Sequence, residues 1–136
     1  MITVGDKVVY TTLDELVATR HTALVVVDMQ HDFCCPSGAF DALGIDLSMY
    51  PPMLPRLARL IDGARNAGVM VIYIQMTVLP AQRSESPAQL RFNMRLHPCV
   101  HNPAAPLLYT VEGSAGHAII PEVAPRPGDL IVWKYR

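Results

Sequence analysis

The 136-residue chain has no excess charge of either sign: 11 Lys+Arg stand against 12 Asp+Glu, and the formal net charge is −1 at pH 7. That balance offers no electrostatic footprint for a nucleic-acid backbone or an anionic membrane surface. Long apolar runs are missing too. The strongest, at residues 23–27 and 69–74, fall far short of the ~20 residues a membrane-spanning helix requires. The first fourteen residues lack the basic-then-apolar plan of a secretory signal, so a soluble, cytoplasmic protein is the expectation. Cysteine is scarce. Cys34 and Cys35 are adjacent and Cys99 is distant, an odd number without C-x-x-C spacing, which fits neither a disulfide framework nor a zinc knuckle and implies reduced thiols. With 51% hydrophobic and 17% charged residues, the chain is too apolar for disorder and reads as one domain over residues 1–136.

What is present is a strand–helix–strand pattern. Residues 22–28 form a continuous apolar run rich in β-branched side chains, without period-2 alternation, which predicts a strand buried on both faces of a parallel sheet. Asp28 ends it. Residues 52–66 place Leu54, Leu57, Leu60, Ile61 and Ala64 at spacings of three and four, opposite Arg56, Arg59, Asp62 and Arg65, and so predict an amphipathic helix. Proline at its start and Gly68 past its end match helix start and stop chemistry. Residues 69–75 repeat the short apolar run and complete a βαβ unit. From 79 to 106 no period is sustained, and the segment reads as a long excursion with a short helix near 89–95. Residues 114–120 suggest a helical turn. The cluster Pro125-Arg-Pro-Gly-Asp129 is a turn feeding a third strand, 130–134. Near the front, Thr12 and Glu15 have the capping-box spacing.

The fold class expected from this order is α/β, a doubly wound, Rossmann-like, three-layer parallel sheet. Three strands are fewer than the five or six typical of such sheets, so the sheet is expected to be incomplete in this chain. Strand faces carrying Leu130, Val132 and Trp133 would then need partners from elsewhere. Ligands in open α/β sheets bind at the carboxyl ends of the strands, which draws attention to Asp28, Gln75 and Lys134. An acid and a lysine closing two buried strands can share one crevice, where each offsets the other's desolvation; a helix cap and a solvated tail are the plainer alternatives.

The string Ala23-Leu-Val-Val-Val-Asp-Met-Gln-His-Asp-Phe33, followed by Gly38-Ala-Phe40, resembles the opening of the isochorismatase-like cysteine hydrolases. The stretch from Ala118 to Arg136, with its Pro-Arg-Pro-Gly-Asp turn leading into Leu-Ile-Val-Trp-Lys, is similar to the family segment that ends in a catalytic lysine. Two blocks in the family's order span nearly all of the chain and look closest to the branch of ureidoacrylate, biuret and N-carbamoylsarcosine amidohydrolases.

The resemblance implies a site of aspartate, lysine and cysteine, with Asp28 and Lys134 in the first two roles. It implies that the nucleophilic cysteine lies beyond residue 136, and that these residues alone are inactive. Cys34 and Cys35, in a loop before Pro36 and Gly38, lack the strand-then-helix setting that favours a thiolate; Cys99 has no visible base. The chemistry implied is cleavage of a C–N bond in a small ureido, carbamoyl or carboxamide compound. Two alternatives stand beside it: a non-catalytic truncated or pseudoenzyme domain, and a vinyl-ether hydrolase of the isochorismatase type. Candidate substrate contacts are Phe33 as a pocket wall, the amides of Gln30 and Gln75, and Asn93, with Arg95, from the long excursion; each has a plain structural alternative in core packing or loop hydrogen bonds. No cofactor and no metal are expected: the family's metal-binding branch uses an Asp-x-His pair that is absent here, and Pro98 interrupts His97 and His101. The five histidines are expected in exposed loops. The expected partners are a small-molecule substrate and either further copies of the chain or the missing C-terminal part, with no nucleic acid and no membrane.

Overall fold

The computed structural model describes residues 1–96 and 109–135. Its centre is a three-stranded parallel sheet of β3 (Ala23–Val27), β4 (Met70–Met76) and β5 (Leu130–Lys134), in that spatial order. Val27 pairs with Ile74, and Met76 with Lys134. All three strands lie within a residue or so of where the apolar runs place them. Before them come a hairpin, β1 (Ile2–Val4) and β2 (Lys7–Val9), and one helical turn, α1 (Leu13–Leu16). Thr12 accepts from the Glu15 amide while the Glu15 carboxylate accepts from the Thr12 amide, closing the expected capping box. Among the described residues, no helix is long and apolar enough to cross a membrane.

Two short helices, α2 (His31–Cys34) and α3 (Ala39–Ala42), follow β3, and α4 (Tyr50–Asn66) carries the chain back to β4. Pro51 and Pro52 sit in the first turn of α4, where their missing N–H groups would have no intrahelical partner. At the other end Gly68 adopts φ +75°, its amide bonds the Arg65 carbonyl, and the Val69 amide bonds that of Ala64. This Schellman arrangement stops the helix one residue before the strand turn. Ile61 is fully buried against Val26, Val71 and Tyr73, with Ile120 and Val123 completing the core. Leu60, expected on that apolar face, is exposed instead. It lies at the edge of the stripe formed by Leu54, Leu57, Ala58, Ile61 and Ala64, which packs on the core. The helix of the excursion is α5 (Pro87–Leu96), and residues 114–120 form turns rather than the expected helix.

The expectation that the strands are buried on both faces requires correction. Leu24 and Val26 of β3 face α4, but Val25 and Val27 are 48% and 50% exposed. Leu130 and Val132 of β5, at 48% and 47%, continue the same bare face. Covering each of them would gain on the order of 1 kcal/mol.

An ion cluster fixes the start of β5. Asp129 accepts from Nε and Nη2 of Arg65 at 3.3 and 2.6 Å and from the Arg126 amide at 2.8 Å. The same guanidinium donates to Asp62 and to the Tyr73 hydroxyl, which in turn donates to the Val123 carbonyl. One side chain of α4 thus holds β4, β5 and the turn between. Asp129 and Arg65 are only 6% and 16% exposed, and Arg65 holds the Asp129 carboxyl below the ordinary range. The contribution of this pair is therefore complete above the ordinary carboxylate pKa and is lost as pH falls through the folded value.

Two outcomes are expected. Purified alone, these 136 residues bind a hydrophobic dye and sediment above the monomer mass, and Val25→Lys with Val132→Lys reduces both; a dye-silent monomer would contradict the exposed face. In urea denaturation at pH 7, Asp129→Ala costs about 3 kcal/mol, as breaking a buried pair does, whereas truncating the more exposed Asp62 costs less than about 1 kcal/mol. Equal losses would show that the Asp129 clamp carries no special weight.

Candidate active site

Asp28 is the first residue past β3 and Lys134 the last of β5, so β4 lies between them. Two strand spacings separate their backbones by about 10 Å, and the long lysine side chain crosses that interval. Its Nζ meets Oδ2 of Asp28 at 2.6 Å. Each side chain is about a third exposed, which puts the pair at the sheet's open carboxyl end. Asp28 takes φ +55°, a left-handed conformation that aspartate tolerates better than most residues. Its amide still bonds the Ile74 carbonyl at 2.9 Å, and its carbonyl accepts from the Gln30 amide at 2.8 Å. The chain thus leaves the ladder at this residue. The second carboxylate oxygen, Oδ1, is buried and without a hydrogen-bond partner among the described residues. Such an oxygen is costly to leave unmatched.

Behind the pair lies a buried polar layer. Gln30, 0% exposed, accepts from the Met76 amide and donates to the Met76 and His117 carbonyls, all within 2.8–2.9 Å. Gln75 donates to the same His117 carbonyl at 2.7 Å. Both amides were candidates for substrate contact. Instead Gln30 uses both its N–H donors inside the fold, and Gln75 is buried and tied to the same loop. His117 also departs from expectation: it is buried, its Nε2 lies 2.9 Å from the Thr77 hydroxyl, and its ring stands edge-on to Trp133. The Thr77 amide donates to the Lys134 carbonyl at 2.8 Å. The layer therefore binds the ends of all three strands.

Phe33 is buried in a T-shaped contact with Phe40 at 4.8 Å and lies 6.1 Å from Tyr109. Asn93 donates to the Tyr109 hydroxyl and accepts from Gln89, which joins α5 to this aromatic group. Asp32, absent from the sequence candidates, organises the surroundings: its carboxylate accepts from the Ala39 and Thr110 amides at 3.1 and 2.6 Å. Gly116 packs so closely on that carboxylate that a Cβ there would collide with it. The only sequence signal was a second acid four residues after Asp28. Burial pushes the Cys34 thiol up to about 11, with the neighbouring Cys35 adding to the effect, and burial also raises Cys35. Neither environment favours a thiolate. His97, Cys99, His101 and Arg136 lie outside the described residues.

With an acid–ammonium pair at the strand ends, the comparisons with known proteins become decisive. Residues 22–136 match the Isochorismatase domain. The chain belongs to the isochorismatase family. Among curated members it is 34% identical over 124 residues to the ureidoacrylate amidohydrolase RutB of Azorhizobium caulinodans, covering 88% of this chain and 54% of that protein. With RutB of Methylobacterium radiotolerans it is 34% identical over 119 residues, covering 85% and 46%. A solved structure, that of a cysteine hydrolase from Pseudomonas syringae pv. phaseolicola, superposes with a TM-score of 0.60 at 29% identity, covering 84% of this chain and 46% of that one. The chain spans about half the length of the curated relatives it matches.

The histidine in this family member's polar layer carries a pH signature. Burial lowers its pKa, against a smaller opposing effect of Glu112. The unfolded chain takes up a proton at higher pH than the folded one, so the contribution of neutral His117 is complete above the ordinary imidazole value. It is lost as pH falls through the lower, folded value. The urea midpoint is expected to drop between pH 7 and pH 5 and to drop less in His117→Gln; identical profiles would refute the assignment.

Proposed function

We propose that the chain supplies the aspartate and lysine of a cysteine-dependent amidohydrolase that cleaves a C–N bond in a small ureido, carbamoyl or carboxamide compound. The nucleophilic cysteine belongs, in this reading, to polypeptide beyond residue 136, which also covers the bare face of the sheet. The observation that carries the proposal is the 2.6 Å contact of Lys134 with Asp28, beside a carboxylate oxygen left without a partner among the described residues. Support also comes from the curated relatives named as amidohydrolases and from the raised thiols of Cys34 and Cys35, which suit them to packing rather than attack.

The chemistry follows from these groups. The thiol proton passes to the Asp28 carboxylate, and the resulting thiolate adds to the carbonyl carbon of the substrate. Lys134, already against Oδ2, offsets the negative charge that the thiolate and then the tetrahedral adduct bring into the cleft. Asp28 returns the proton to the departing nitrogen as the C–N bond breaks, since an amine anion is too poor a leaving group to depart unprotonated. A thioester remains. Water then attacks it, Asp28 accepts a proton from that water, and the thiol is restored as the acid leaves.

The test is ammonia or amine release by the complete polypeptide, cysteine included, from a panel of ureido, carbamoyl and carboxamide compounds. Asp28→Asn, which preserves shape and tolerates the left-handed backbone, should lower kcat by about 10²- to 10⁴-fold. Residues 1–136 alone should release nothing. Hydrolysis by the short chain, or an Asp28→Asn variant acting at full rate, would overturn the proposal; a complete protein that cleaves none of the panel would favour a non-catalytic domain.

A further inference from the structure

We propose that Gln30 is a positioning residue for the Asp28–Lys134 pair, acting as a side-chain substitute for the peptide group that β3 loses where its backbone turns away. The inference rests on the hydrolase reading for its kinetic consequences, but its geometry stands on its own. In a parallel ladder the residues after Val27 would go on bonding to β4 beyond Ile74. The left-handed turn at Asp28 ends that ladder, which would leave the N–H and C=O of Met76 facing nothing on the β3 side. A carboxamide has the donor and acceptor of a peptide group. Gln30 presents both to Met76: its Oε1 accepts from the Met76 amide and its Nε2 donates to the Met76 carbonyl, each at 2.8 Å.

Met76 is the residue of β4 in register with Lys134. One side of it is therefore held by β5 at the lysine, and the other by the loop that carries the aspartate. The second N–H of Gln30 reaches the His117 carbonyl at 2.9 Å, and the backbone of the same loop is fixed against residues 118–120 by the His31 and Ile120 amides. With these ties the two-residue span from Asp28 to Gln30 has little freedom. Its placement sets where the carboxylate stands relative to Nζ across the width of a strand. Glutamate in place of Gln30 keeps an acceptor but loses both donors when ionised, asparagine is a methylene too short, and methionine fills the volume with no polar group.

The experiment uses the complete protein and compares Gln30→Met with Ile61→Ala, a core truncation remote from the pair that supplies a purely structural loss of stability. For Gln30→Met we expect kcat lower by about 10²-fold, the scale of a displacement of about 1 Å at a reacting group, with KM within about threefold of the parent. The acid limb of its kcat–pH profile should move. Ile61→Ala should lower the melting temperature and leave that profile in place. A readout that needs no substrate runs alongside: the Asp28 carboxyl titration, followed by 13C NMR, should be displaced in Gln30→Met and not in Ile61→Ala. The inference is overturned if Gln30→Met keeps the parent kcat–pH profile and Asp28 titration, or changes them only as Ile61→Ala does. Should the complete protein cleave no C–N substrate, the hydrolase reading fails while the carboxyl titration still decides the role of Gln30.

Discussion

Holding a carboxylate and an ammonium 2.6 Å apart on two strands that are not neighbours is the constraint around which this three-stranded sheet is arranged. An exposed pair of this kind would contribute little by itself, because solvent screens it and two long side chains lose freedom in forming it. Here the backbone fixes the partners beforehand. Parallel pairing sets the stagger of the strands, the Asp28 turn aims the carboxylate, and the buried amides and imidazole behind it bind the three strand ends into one unit. At the opposite end of the sheet, Arg65 and Asp129 fix the entry of β5. The strand that delivers the lysine is thus restrained at both ends.

Much of this was legible in the sequence wherever the signal was local and periodic. The runs of 23–27 and 70–76 are rich in β-branched and aromatic residues, and 130–134 follows a Pro-Gly-Asp turn, so each declares a strand. The three- and four-residue spacing of α4, closed by Gly68, declares a helix. The N-terminal hairpin was not visible because strands of three residues are too short to display alternation. Leu60 follows the helical spacing and is still exposed, since the pattern marks a face without saying how wide the covering sheet is.

The site was legible in part. Asp28 and Lys134 could be singled out because strand ends are where such sheets bind ligands, and the fold brings them together. Gln30 and Gln75 stood open between substrate contact and loop hydrogen bonding, because an amide at a strand end looks the same whether it faces a ligand or a backbone. Only the positions of Met76 and His117, 46 and 87 residues from Gln30, distinguish these uses. Likewise nothing near His117 in the sequence indicates that Thr77 and Trp133 enclose it. Long-range polar contacts carry no period, and the side-chain types that make them also occur in loops.

The bare side of the sheet has a consequence for biosynthesis. β5 leaves the ribosome after its two neighbours, and the helix that shields one side of them, α4, has already been made by then. From that moment until further polypeptide or another molecule shields the opposite side, a growing chain displays a flat array of valine and leucine to its surroundings at an elongation pace of roughly 5–20 residues per second. Holding chaperones during that interval would protect it, and the longer the array stays bare, the greater the exposure of the chain to aggregation.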